Sequence, residues 1–230
     1  MRRWIATLSL LLAGPAAQAQ EGILGVLARS QQTRLESASA ADPGSTRART
    51  VRASFETLVG VLKLGHPVQL RVTQDDAVAE TLQGRVVLAN ESLADLGEGE
   101  RLFILAHELG HVELRHWDQT ERLYQKWVPG AVTPQQTEPV AALLGHDASG
   151  LAHQQELEAD AFALSALHLL GRPWEDALGA FMRLGVNHDT ATHPGTRKRL
   201  ALLRAAEARW SAADQSTTRN EPIDSVRRPD

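Results

Sequence analysis

Apolar residues recur at helical spacing through most of the chain. Residues 51–64 carry them three or four positions apart, and residues 151–170 repeat the pattern over a longer stretch. Shorter segments predict helices at residues 21–29, at about 173–184 and from residue 192 to about 206. This periodicity predicts a mostly helical protein.

Residues 101–116 are apolar on every side, which predicts a helix inside the core that can continue to residue 127. Residues 68–72 alternate between polar and apolar positions, and residues 85–89 are more continuously apolar, so both are predicted to be strands. We expect these strands to pair in a small sheet beside the buried helix. The predicted fold class is therefore α+β and mostly helical, with a polar loop at residues 30–50.

The two ends of the chain differ in composition from its middle. Residues 1–19 have a basic start, a short apolar stretch and a small-x-small cleavage site, which predicts a secretory signal peptide, with an uncleaved anchor as the alternative. Residues 20–210 are predicted to form a single domain, followed by a disordered polar tail at 211–230. Residues 128–150 contain three prolines and are predicted to be an insert that acts as a lid. No apolar run after the signal is long enough to span a membrane.

Composition narrows the chemistry that the protein can perform. The 230 residues carry a formal net charge of −4 and only 4% aromatic residues, with no basic stripe, so nothing indicates nucleic-acid binding. The chain has no cysteine, which excludes disulfides, thiolate metal sites and cysteine nucleophiles. Any metal must therefore be held by histidine, aspartate or glutamate.

The buried helix at residues 101–116 contains an H-E-x-x-H motif. His107 and His111 are four residues apart, so they lie only about 40° apart around a helix axis and can meet one tetrahedral Zn²⁺. Glu108 lies one position round, where it can take a proton from metal-bound water. The alternative is a core helix whose histidines are hydrogen-bonded to other protein groups.

A catalytic zinc usually has three protein ligands and one open position. Glu156 and Asp160 share one face of the long helix at 151–170, so Glu156 can bind the metal while Asp160 accepts the outward N–H of a ligand histidine. Glu158 points about 160° away from Asp160 and is expected to face solvent or an arginine. His116 is expected to be a structural residue or to contact a ligand from behind. The alternative for Glu156 and Asp160 is a solvated helix face.

The chain carries three motifs in this order: His107-Glu108-x-x-His111, Glu156-x-x-Ala159-Asp160 and His193-Pro194-x-x-x-x-Arg199. Together, over residues 51–205, they resemble the HtpX-, BepA- and CAAX-prenyl-protease-like zinc metallopeptidases of peptidase family M48. The resemblance implies a zincin-like fold with one Zn²⁺ per chain. It assigns a role to each residue of the site: metal ligand for His107, His111 and Glu156, catalytic acid/base for Glu108, ligand orientation for Asp160, and a catalytic role near the zinc or the oxyanion for His193 and Arg199.

The expected function is that of an exported zinc endopeptidase that cleaves unfolded or misfolded polypeptides in the periplasm, as part of protein quality control. Envelope proteins are candidate partners, and the sequence predicts no oligomeric state. The strand at residues 85–89 is expected to pair with an extended substrate. The alternatives are an ImmA/IrrE-like regulatory metallopeptidase, a zinc-binding chaperone-like protein, and an autoinhibited enzyme in which His193 fills the open position of the zinc.

Overall fold

The structure is a computed structural model that describes residues 21–219, with side chains described as far as residue 212. The predicted signal peptide at 1–19 and the end of the predicted tail, residues 220–230, lie outside the described residues. The elements, in chain order, are α1 (Ile23–Ser37), α2 (Thr46–Leu62), β1 (Gln69–Thr73), β2 (Ala79–Leu82), β3 (Val86–Asn90), a short 3₁₀ helix (Glu91–Asp95), α3 (Glu98–Glu113), α4 (His116–Trp127), α5 (Pro134–Thr137), α6 (Ala141–Leu169), α7 (Glu175–Leu184) and α8 (Thr196–Arg219).

The three strands form one sheet in the order β1-β3-β2. β1 pairs in parallel with β3, which confirms the predicted pairing, and β2 pairs antiparallel with the other side of β3. The prediction that residues 85–89 bind substrate is therefore wrong, because β3 has a neighbouring strand on both sides and no free backbone edge. The two edge strands are β1 and β2, and β2 is a short segment that the sequence pattern did not reveal.

α3 lies at the centre of the domain and packs against α2, α6, α7 and the sheet, which confirms the α+β architecture with a small sheet beside the buried helix. Leu105, Ala106 and Leu109 on this helix are fully buried. At Gly110 the backbone of α3 approaches α6 so closely that a Cβ atom there would lie 3.1 Å from the Cα atom of Ala159 and 3.2 Å from the Cβ atom of Phe162. Glycine at this position therefore sets the distance between the two helices that carry the candidate ligands.

Several predicted loops are partly helical. α1 continues to Ser37 and α2 begins at Thr46, so the predicted loop at 30–50 is much shorter. Leu35 is buried against the sheet, which accounts for the longer α1. The predicted insert at 128–150 contains α5 and the first residues of α6. Its three prolines all precede α6, so none of them interrupts that helix.

The other element boundaries also differ from the prediction. α3 ends at Glu113, since Arg115 adopts a left-handed conformation with φ of 55° and α4 begins after it. α8 begins at Thr196 and runs to Arg219, so it begins later than predicted and extends into the segment predicted to be a disordered tail. Among residues 21–219, none of the helices combines the length and the apolar character that crossing a membrane requires.

Candidate metal centre and active site

α3 and α6 together bring three candidate ligands to one point. His107 and His111 lie one turn apart on α3, and Glu156 faces them from α6. Nε2 of His107 is 3.2 Å from Nε2 of His111, and the nearest Glu156 oxygens lie 3.5 Å from the first nitrogen and 3.4 Å from the second. Two atoms bound at about 2.0–2.1 Å to a tetrahedral zinc ion lie about 3.3–3.4 Å apart. Each of these distances is close to the spacing that zinc requires, with one Glu156 oxygen facing each histidine.

The charges around these donors also fit a cation. Although burial disfavours a charged imidazole, the nearby Asp160 and Glu156 raise the pKa of His107 to about 10. Burial alone would raise the pKa of Glu156, but its hydrogen bonds with His107 and His111 hold it far below the usual range. The pocket thus stabilises positive charge between two carboxylates, and a dication bound by neutral imidazoles would supply that charge.

Asp160 holds His107 from the side opposite the candidate metal position. It is only 2% exposed, and its Oδ1 lies 3.0 Å from His107 Nδ1. With Nδ1–H donating to this carboxylate, Nε2 keeps its lone pair free for a metal. Burial would raise the pKa of Asp160, but the hydrogen bond from Arg199 and that from His107 lower it. Asp160 therefore stays charged and fixes the ring of His107.

Arg199 reaches the site from α8 with most of its donors already occupied. Its Nε and Nη2 donate to Asp160 at 2.7 and 2.6 Å, and its Nη1 lies 3.3 Å from a Glu156 oxygen. The guanidinium also lies over the ring of Phe181, 4.8 Å from its centroid. Arg199 therefore binds the two carboxylates of the site directly.

Glu108 points into the cleft beside the candidate ligands and is 8% exposed. The hydroxyl oxygen of Thr81, on β2, lies 2.7 Å from Glu108 Oε2 and 2.9 Å from the Glu108 carbonyl oxygen. Thr81 thus links the edge strand to the candidate base. Sequence reasoning missed this residue because β2 has only four residues and no strong apolar alternation.

His193 lies on the loop between α7 and α8, at the rim of the same cleft. Its side chain is 59% exposed, and its Nε2 lies 3.7 Å from a Glu156 oxygen. Thr192 Oγ1 lies 2.8 Å from the other ring nitrogen. His193 is therefore close to the candidate ligands without being fixed among them.

His116 begins α4 and is 3% exposed behind His111. Its Nδ1 lies 2.9 Å from His111 Nδ1, and its Nε2 lies 3.2 Å from Oε2 of Glu158. Burial, together with the neighbouring His111, lowers the pKa of His116 to about 4. His116 thus contacts a candidate ligand from behind as expected, whereas Glu158 contacts a histidine rather than an arginine.

Two pockets open at the candidate metal position. A cavity of about 290 Å³ runs between β2 and α4 and is lined by residues that include Glu80, Trp117 and Thr120. A smaller pocket of about 170 Å³ lies toward the start of β2. The polar groups of the site, including Glu156 and Arg199, line part of it, and apolar side chains line the rest: Val78, Phe103, Ile104, Phe181 and Leu184. Glu108 lines both pockets, so a reacting bond placed beside it would have space on either side.

The sequence model of peptidase family M48 matches residues 45–207, which is 163 of the 230 residues. This stretch contains the strands, the candidate ligands and the residues that hold them, whereas α1 lies before it. No curated protein matches the chain.

Proposed function

The chain belongs to peptidase family M48 and is a metallopeptidase that acts on peptide bonds, and we propose that one zinc ion serves its catalysis. His107, His111 and Glu156 would hold this ion, and Glu108 would act as the acid/base. The observation that carries the proposal is the spacing of the three donors, 3.2–3.5 Å, beside a buried carboxylate that is not needed as a ligand.

When bound, zinc would polarise the peptide carbonyl and lower the pKa of a water molecule to about 7. Glu108 would accept a proton from that water and return it to the leaving amine. The hydroxyl of Thr81, 2.7 Å from Glu108 Oε2, would keep the carboxylate turned toward the cleft. Asp160 would hold His107 in the tautomer that leaves Nε2 free.

His193 and Arg199 support this chemistry in different ways. Arg199 donates to Asp160 and lies beside Glu156, so we assign it to holding the two carboxylates rather than to binding an oxyanion. His193 is exposed at the rim, where its free Nε2 can donate to a developing oxyanion. Its 3.7 Å distance from Glu156 also favours a second candidate state, in which His193 would fill the open position of the zinc and keep the enzyme latent.

Substrate would bind as an extended chain along the free edge of β2, since β1 and β3 are not accessible at this side of the sheet. A chain antiparallel to β2 runs from the Leu82 end toward the Ala79 end. The residue after the scissile bond would then enter the apolar pocket beside Val78 and Ile104. We therefore propose cleavage before an apolar side chain.

Backbone pairing of this kind reads little sequence, and it requires a segment that is free to become extended. We propose that the substrates are unfolded or misfolded polypeptides. If residues 1–19 act as the signal peptide that their composition predicts, this cleavage would take place in the periplasm and would serve protein quality control.

The test compares the parent with Glu108→Gln after both have been loaded with zinc and their metal content has been measured. We expect the variant to bind one zinc per chain and to lose at least about 10²-fold in its rate of cleaving an unfolded protein. Glu113→Gln changes a carboxylate on the same helix outside the cleft and should leave the rate unchanged. Undiminished cleavage by the Glu108 variant would rule out the assignment of the base.

A further inference from the structure

The two candidate ligand histidines are held in different ways. His107 contacts the carboxylate of Asp160 directly, deep in the core. His111 contacts another imidazole, that of His116, and only this second ring reaches a carboxylate, that of Glu158. A metal-ligating histidine usually donates its outer N–H to a carboxylate, a backbone carbonyl or water. On the His111 side of the site, one additional residue, His116, therefore lies between the candidate ligand and the carboxylate.

We infer that His116 and Glu158 form a positioning relay that fixes the ring of His111 for metal binding. The inference rests on the proposed metal site and extends it to two residues that the proposed catalysis does not use. Neither residue would touch the metal or the substrate bond. Both would act through His111, by holding its ring plane and its tautomer.

The arrangement of protons follows from the geometry. If Nε2 of His111 faces the metal, its Nδ1 must carry the hydrogen and donate, because a neutral imidazole has one N–H. Nδ1 of His116, 2.9 Å away, must then accept. The hydrogen of His116 consequently lies on Nε2 and donates to Glu158 at 3.2 Å. In both contacts, His111 to His116 and His116 to Glu158, the residue nearer the metal donates and the residue farther from it accepts.

The fold builds this relay from two elements. The left-handed residue Arg115 ends α3 and turns the chain, so that His116 begins α4 directly behind His111. α6 then holds both ends of His116, because Gln155 Nε2 donates to its carbonyl oxygen at 2.9 Å and Glu158 faces its ring. Gln154 in turn donates to the second oxygen of Glu158 at 2.7 Å.

Glu158, the last residue of the relay, is partly exposed to solvent, and this exposure limits how much it contributes to metal binding. The side chain of Glu158 is 39% exposed, whereas that of Asp160 is 2% exposed. Water can compete for Glu158, so its loss should matter less than the loss of the buried ring of His116. His116 is not itself suited to be a ligand here, since its Nδ1 faces the outer nitrogen of His111 rather than the point where His107 and Glu156 converge.

The test measures the dissociation constant for zinc by competition with a chelator, without reference to proteolysis. His116→Phe keeps an aromatic ring of similar size but cannot accept, and we expect zinc binding to weaken about 10–100-fold. Glu158→Ala should weaken it by a smaller factor, and Glu158→Gln, which retains an acceptor, should restore most of the loss. Glu207→Ala is the matched control, because it removes a carboxylate 2.7 Å from another histidine, His168, away from the site.

Two further measurements separate positioning from general stability. The metal-free melting temperature of Glu158→Ala should stay close to that of the control, while the visible spectrum of its cobalt-substituted form should change. In the unaltered, zinc-loaded protein, ¹⁵N resonances of the histidine rings should show His116 protonated on Nε2 alone, a result that does not depend on any variant folding.

The outcomes distinguish this inference from the proposed function. A parent that binds zinc while all variants bind it equally tightly would overturn the relay alone, as would a hydrogen on Nδ1 of His116. Two zinc ions per chain, with the second lost in the His116 variant, would make His116 a ligand and would also overturn it. A parent that binds no zinc would contradict the proposed function itself.

Discussion

Gly110 offers a direct test of the spacing between α3 and α6, the two helices that carry the candidate ligands. A Cβ atom at this position would lie 3.1 Å from the Ala159 backbone, which is closer than ordinary van der Waals contact. The Gly110→Ala variant must therefore move α6 away from α3 by a few tenths of an ångström or distort one of them. Overpacking of this kind costs about 1–3 kcal/mol.

Gly150→Ala is the matched control, because Gly150 is a helical residue of α6 where an added Cβ atom would have nothing within 4 Å. Both substitutions gain the helix preference of alanine, about 0.5–1 kcal/mol. The difference between the two variants therefore isolates the overpacking at Gly110.

We expect Gly110→Ala to be less stable than Gly150→Ala by about 1–3 kcal/mol in urea unfolding of the metal-free proteins. Because the displaced helix also carries Glu156, the Gly110 variant should bind zinc more weakly than the control. Equal unfolding free energies and equal zinc affinities for the two variants would refute the close approach of α3 and α6 and its role in setting the site.

Three other predictions concern Asp160, Thr81 and Asp75. Asp160→Asn can present only one oxygen to the three hydrogen bonds that Asp160 now accepts, so zinc binding should weaken about 10–100-fold in a chelator competition; unchanged binding would contradict its role behind His107. Thr81→Val should lower the cleavage rate while zinc content stays at one per chain; a rate equal to that of the parent would show that Glu108 needs no partner. Hydrogen bonds from the backbone N–H of Ser39 and from the Arg34 side chain lower the pKa of Asp75, so this link between α1 and the segment after β1 is present above the ordinary carboxyl pKa and is lost as the pH falls through the lowered one; amide protection factors in α1 that do not decrease on acidification would disprove this.

Local spacing made part of the site predictable. His107, Glu108 and His111 lie within two turns of one helix, so their relative placement follows from helical geometry alone. Glu156 is far away in the chain, and its helix could be selected only from the shared face with Asp160 and from the resemblance to a family. Its distance from the histidines depends on the packing of α3 against α6 at Gly110, which no local pattern reveals.

The features that sequence reasoning missed depend on tertiary contacts. β2 is a strand because β3 pairs with it, and its four residues carry too little periodicity to show this. The helical angle between Glu158 and Asp160 indicates only that they face different sides of α6, and it does not reveal what Glu158 meets. The turn at Arg115 places His116 against the side of α6 that carries Glu158. The apolar periodicity of the sequence continues through this turn, so it does not reveal the turn.

The binding of one metal ion by His107, His111 and Glu156 is tested most directly by a crystal structure with data collected at the zinc absorption edge. We expect a single anomalous peak at about 2.0–2.2 Å from Nε2 of both histidines and from a Glu156 oxygen. A zinc-loaded crystal with no peak there, or with a peak that the Glu156 carboxylate does not reach, would contradict this metal site.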